Sequence, residues 1–272
     1  MNGRIPPVEV RRDLRREVGF GCPIEGCRSP FLEYHHFNPP WHEGNVHNIE
    51  GMIALCPSHH SMADRGTWTK EELRTLKTEG EKSPIKGKLH WNLKNSVLNA
   101  GKNLIIAKNQ ISLRVLGNEI FALKENAKGQ LTLNAQLWNS SGELIIRIID
   151  NDILLAPNKE VNDFICNVSG NKIRIESRKN ETYLEFMIKR EKTKKLEGIS
   201  FKEYGFLENE VPCINLKAKV INNAFDLVIQ EKQIVLDFRR VGYDKTNISK
   251  FVVGPSGSLN IMFENQEFFH MG

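Results

Sequence analysis

Apolar positions change their period along the chain. In P-V-E-V-R-R-D-L-R-R-E-V, residues 7–18, Val10, Leu14 and Val18 recur every four residues, the spacing of one helical stripe. Pro7 suits the first turn of such a helix. Gly19-Phe20-Gly21 ends it. Phe31 to Phe37 reads as a short strand. Residues 38–51 carry Asn, Pro and Gly and read as a loop. Met52-Ile53-Ala54-Leu55 is a brief apolar strand that runs into Cys56, and from Pro57 through about Asp64 the pattern is helical. Thr69-x-x-Glu72 is a capping box that opens a helix over Leu73 and Leu76. Residues 78–88, T-E-G-E-K-S-P-I-K-G-K, are polar with Gly and Pro, as in a linker.

Beyond that stretch the period becomes two. Leu131, Leu133, Ala135 and Leu137 alternate with polar residues, Asn139-Ser140-Ser141-Gly142 forms a turn, and Leu144 to Ile149 returns, which is a hairpin signal. Ile173 and Ile175, then Leu184, Phe186 and Ile188, repeat it. Further strands are expected over 104–107, 111–116, 119–124, 214–221, 225–229, 233–238 and 258–263, and a charged loop or insertion over 189–210. The expected fold class is α+β: a small N-terminal module over 1–80, a linker over 81–88, and a larger, mostly antiparallel, sandwich-like β domain over 89–272.

Composition and charge narrow the setting. No run approaches the roughly 18 apolar residues of a membrane span. Met1 to Pro7 lacks the apolar core of a signal peptide, so a cytoplasmic protein without membrane attachment is expected. Five cysteines, an odd number, fit metal ligands plus buried thiols (Cys166 and Cys213) better than a disulfide framework. Of the 38 basic and 33 acidic side chains, 10 and 11 fall in residues 1–80, which leaves 28 and 22 for 81–272. The positive excess therefore lies outside the N-terminal module. It allows a nucleic-acid partner and equally a solvated surface. On the first helix, Arg11 and Arg15 are candidate phosphate contacts, or else members of a salt-bridged surface. Arg65 is a third candidate.

The potential chemistry is concentrated between Cys22 and Asp64. Cys22-x4-Cys27 and Cys56-x2-His59 are two ligand pairs of the kind that close a tetrahedral zinc site. Pro23 and Gly26 favour a tight turn between the first two. So small a module has too little apolar surface to hold itself together, and the metal would supply folding free energy. His35 and His36 lie in a strand-like segment and should face opposite sides. His60 and Asp64, four apart on a helix, share a face. His35, His60 and Asp64 could hold a catalytic divalent ion, with His36 left as a general base. Two imidazoles and a carboxylate suit Mn2+, Ni2+, Co2+ or Zn2+ more naturally than Mg2+, which stays a candidate through its abundance.

The order Cys-x4-Cys, E-Y-H-H, L-C-P-x-H-H resembles the HNH endonuclease family, whose fold is the ββα-metal motif. The resemblance covers about residues 18–78. It implies that His36 takes a proton from water, that His35 and His60 are metal ligands, and that Asp64 occupies a place where relatives carry another histidine. It also implies an ion that polarises the scissile phosphate, and products with 5′-phosphate ends. The family's middle Asn would fall at Gly51, so Asn48 and Asn45 are the nearest candidates. His59 stands where a cysteine is common.

The resemblance further implies DNA as substrate, a role in restriction or anti-phage defence, and a partner protein from such a system. A homo-oligomer assembled through the β domain is expected. Two alternatives remain: a non-catalytic zinc module that binds nucleic acid, and an assembling protein with a vestigial nuclease.

Overall fold

The four-residue repeat forms helix α1 (Val8–Glu17), whose Leu14, with Val18 at the C-terminal cap, is fully buried while Val10 packs on the same core. Pro7 stands just outside as the N-terminal cap. The computed structural model describes residues 3–91, 93–101, 103–107, 110–115, 118–139, 141–155, 160–177, 181–196, 209–221, 226–230, 234–237, 245–248, 252–253, 258–261 and 270–271.

Strand β1 (Glu33–His36) pairs antiparallel with β2 (Met52–Leu55), so that His35 lies opposite Ile53 and His36 opposite Met52. All four residues of β2 are buried. The connection between them is more regular than its Asn, Pro and Gly content predicts. It holds a short helix, α2 (Trp41–Gly44), and a 3-10 turn over Ile49–Gly51. Lys77 secures this loop by donating to the carbonyl of Ile49 while pairing with Glu17 at 3.2 Å. Helix α3 (Pro57–Asp64) follows β2 directly, with Pro57 in the first turn, where a missing N–H costs nothing. Helix α4 (Lys70–Glu79) starts at the expected capping box: Thr69 accepts from Glu72 N, and the Glu72 carboxylate accepts from Thr69 N.

The chain divides into two compact units that are discontinuous in sequence, Met1–Gly87 with Leu154–Glu181, and Lys88–Ile153 with Thr182–Gly272. The alternation over 161–177 forms a hairpin as its period suggests, yet the hairpin belongs to the N-terminal unit. Val161–Cys166 pairs with Lys172–Ser177, and Cys166 bridges Phe31. The residues that attach it to α1 are charged. Arg15 Nε donates to Asp163 Oδ1 at 2.8 Å, Arg12 pairs with Glu176 at 3.2 Å, and Arg16 donates to Asn162 Oδ1 at 2.8 Å. A polarity pattern carries no signal for such long-range ion pairs. Residues 81–88, expected as a linker, are tied down as well. Glu81 N donates to Pro23 O at 2.9 Å, its carboxylate accepts from Gly26 N at 2.6 Å, and Ile85–Lys88 forms a strand.

The second unit is made of strands that are mostly antiparallel. One sheet carries the meander Gln110–Val115, Asn118–Glu125, Leu131–Trp138 and Leu144–Ile149. The other is built on a long pair, Thr182–Lys192 with Glu210–Ile221, joined by Asp226–Ile229 and Ile234–Asp237. Strand Ser96–Ala100 adds to Glu210–Ile221 in parallel. Phe121 and Phe186, one from each sheet and both buried, stack at 5.4 Å, so the two sheets share a core. Lys189 to Lys192, expected in a loop, continue a strand because their partners Glu210–Cys213 extend it; residues 197–208 of that expected loop lie outside the described ones. Cys166 and Cys213 are buried thiols, as expected. No described helix is long and apolar enough to cross a membrane.

The Arg15–Asp163 pair is buried on both sides. Removing one partner leaves an uncompensated charge, so Asp163→Ala should lower stability by about 3–5 kcal/mol in urea unfolding. An unchanged midpoint would show that this ion pair contributes nothing to the stability of the unit.

Candidate metal centre and adjoining cleft

The turn that presents the first two cysteines is closed by its own backbone. Cys22 N donates to Ser29 O at 2.9 Å and Cys27 N to Ile24 O at 3.0 Å. Gly26, at φ +72°, takes the left-handed position such a turn requires. The next residue after Cys27, Arg28, is buried, and its guanidinium gathers the carbonyls around the turn: Gly19 at 2.8 Å, Ser83 at 2.9 Å, Gly21 at 3.0 Å and Val18 at 3.1 Å. Five donors in a planar fork suit this convergence. The motif spacing holds no sign of it.

Cys56 sits at the junction of β2 and α3, and His59 one turn further along. His59 Nδ1 lies 3.3 Å from Cys22 Sγ and 3.2 Å from Cys56 Sγ, and Cys27 Sγ lies 3.8 Å from Cys56 Sγ. Ordinary zinc bond lengths give tetrahedral edges of about 3.8 Å between sulfurs and about 3.5 Å between sulfur and nitrogen. The four donors therefore fit a zinc-sized ion, and this Cys3His cluster can hold a metal such as zinc. The hydrogen bond from Cys22 pulls the Cys56 thiol down to about 5, and the same bond pushes Cys22 up.

Consecutive helical residues point about 100° apart, so His60 leaves this cluster and joins another. His60 Nδ1 is 3.2 Å from Asp64 Oδ2, and His35 Nδ1 is 3.1 Å from Asp64 Oδ1. Donor atoms of these three residues lie within 4.8 Å of one another. Burial, then the neighbouring His60, lowers the pKa of His35 and favours its neutral form. Glu33 Oε2 stands 3.7 Å from His60 Nδ1. Its relevance was legible in one respect: residues 33 and 35 share a face of β1.

His36 turns to a different set of partners. Its Nε2 is 3.1 Å from His47 Nδ1, and His47 Nε2 is 3.0 Å from Gly3 O. Trp41 stacks on His47 at 4.9 Å and tilts against His36 at 5.1 Å. Burial, then His47 and His35, push His36 down to about 4. His35, His36, His60 and Asp64 all border one cleft of about 350 Å³.

Other candidates fall elsewhere. Asn48 is exposed, and its side chain accepts from Glu50 N at 3.2 Å, which caps the 3-10 turn. It is a loop-fixing residue outside the cleft lining. Gly51 has no room for the expected Asn: a Cβ would stand 1.6 Å from Asn38 O, and Gly51 O accepts from Phe37 N and Asn38 N. Arg15, a candidate phosphate contact, is committed instead to Asp163 and the Tyr34 hydroxyl. Arg11 is half-buried on α1 and Arg65 is exposed at the end of α3, and neither lines the cleft. The basic side chains that do line it are Arg4 and Lys70. Arg4 precedes the first periodic segment, and no pattern marked it.

Compared with known proteins, the chain matches no family model, no curated protein and no solved structure.

Metal analysis checks the Cys3His assignment. The purified chain should carry about one zinc, and Cys56→Ser should lose it together with the fold of the N-terminal unit. Full zinc occupancy in Cys56→Ser would rule out this ligand set.

Proposed function

We propose that the N-terminal unit is a metal-dependent endonuclease module of the HNH type that hydrolyses phosphodiester bonds of DNA. The observation that carries this reading is the pairing, in one cleft, of a three-donor cluster (His35, His60, Asp64) with a separately held imidazole, His36, beside a distinct Cys3His cluster. One zinc site alone would leave the second set of donors without a role.

The donor set of two imidazoles and one carboxylate fits a divalent transition ion with open positions. Such an ion, when bound, supplies Lewis acidity to the scissile phosphate and charge to the departing 3′ oxygen. The chain's own residues do the rest. His35 and Asp64 touch at the end of β1 and the last turn of α3, which sets where the phosphate must lie. His36 is unprotonated at neutral pH and takes the proton of the attacking water. Arg4 and Lys70 contact the flanking phosphates, in place of Arg11 and Arg15. The resemblance over 18–78 adds DNA as the substrate and a role in restriction or anti-phage defence.

Plasmid digestion with Mg2+, Mn2+ or Ni2+ tests the reading. Wild type should nick or cut, and His36→Ala should abolish cleavage while keeping its zinc. An intact plasmid under all three ions overturns the proposal. The double variant Arg4→Ala/Lys70→Ala should raise KM by about tenfold with kcat little changed, as expected when uniform binding is lost. A KM at the wild-type value would remove these two residues from substrate binding.

A further inference from the structure

We infer that His47 is a positioning residue that fixes the tautomer of His36, through a one-way hydrogen-bond chain anchored on the carbonyl of Gly3. For its kinetic consequence this rests on the nuclease reading above; its structural content stands apart from that reading.

The direction of the chain follows from chemistry. Either nitrogen of a neutral imidazole can be donor or acceptor, so the 3.1 Å contact between His36 Nε2 and His47 Nδ1 has no polarity by itself. A backbone carbonyl can only accept. At 3.0 Å from Gly3 O, His47 Nε2 must therefore carry the proton. In neutral His47 that leaves Nδ1 bare, so it accepts. The proton between the rings then belongs to His36 Nε2, and His36 Nδ1 keeps the lone pair. One imidazole nitrogen of His36 is thus selected as the proton acceptor before any substrate arrives, and the choice is made at Gly3, 44 residues before the intervening His47.

Packing holds this arrangement. Trp41 lies nearly parallel to His47, 22° between planes, and also meets His36. His36 is only 9% exposed, so water competes poorly for its Nε2. A group that fixes a histidine's tautomer and ring orientation in this way is typically worth about 10–100-fold in activity. The sequence holds eight histidines, and nothing in their spacing pairs His47 with His36.

The test uses the full chain, purified with its zinc and labelled with 15N-histidine. Long-range proton–nitrogen correlation at neutral pH reports which nitrogen of each ring is protonated, and the His36→Gln spectrum assigns the His36 signals. The expected result is a proton on Nε2 of both His36 and His47 in wild type. In His47→Leu, His36 should shift toward a mixture of tautomers. In His47→Gln, whose amide both accepts and donates, the wild-type state of His36 should return. In plasmid cleavage, His47→Leu should lower kcat by about 10–100-fold at similar KM, and His47→Gln should recover most of it. Zinc content and thermal unfolding confirm that each variant is folded, and the Gln variant decides the matter if Leu perturbs packing.

A His36 protonated on Nδ1 in wild type overturns the inference, as does a tautomer indifferent to His47→Leu. Cleavage unaffected by His47→Leu overturns its kinetic part. If wild type cuts no DNA but the tautomer responds as stated, the nuclease reading fails and this one survives.

Discussion

Closure of one short turn onto one helix start governs the N-terminal unit. About a dozen buried side chains form its core, and two of them, Cys22 and Cys56, are themselves donors of the Cys3His cluster. A core of that size offers little hydrophobic stabilisation against the entropy of ordering the chain. The cluster joins the turn before β1 to the junction after β2, which meet at one end of the antiparallel pair, so it closes the end opposite the connecting loop. Arg28 works from the outside of the same turn, where it satisfies carbonyls that no secondary structure reaches.

The same helix start divides two chemistries. His59 and His60 are adjacent in sequence, and one belongs to the Cys3His cluster while the other meets Asp64 and His35. The strand does likewise with His35 and His36, one turned to α3 and the other to the loop that carries His47. A strand with a two-residue period and a helix with a 3.6-residue period each split a His-His pair, and the four imidazoles reach three different environments.

Where local spacing decides, the sequence was readable. The amphipathic helix, the Thr69 capping box, the meander of the second unit and the two local pairs Cys22/Cys27 and Cys56/His59 all rest on contacts within a turn or on a simple period, and zinc's demand for four such donors brings the two pairs together. Where distant residues decide, it was not. Arg15 reads as a surface arginine because nothing near it in sequence announces Asp163. Gly51 reads as a missing Asn, although the close approach of the Asn38 carbonyl leaves space only for hydrogen. His47 and Arg4 carry no motif, and their places depend on how the N-terminal segment lies across the loop. The discontinuous first unit escaped for the same reason: a hairpin over 161–177 looks like any other pair of strands until its charged partners on α1 are known.

That hairpin has a consequence for how the chain comes into being. Arg12, Arg15 and Arg16 are made 164, 148 and 146 residues before their respective partners Glu176, Asp163 and Asn162. Until then the emerging N-terminal segment carries three arginines without these acidic and amide partners, and Tyr34 is positioned by an Arg15 that lacks its own counter-charge. Contacts of such long sequence separation form late. The donor residues of the cleft therefore leave the ribosome well before the hairpin that pairs with α1 is made.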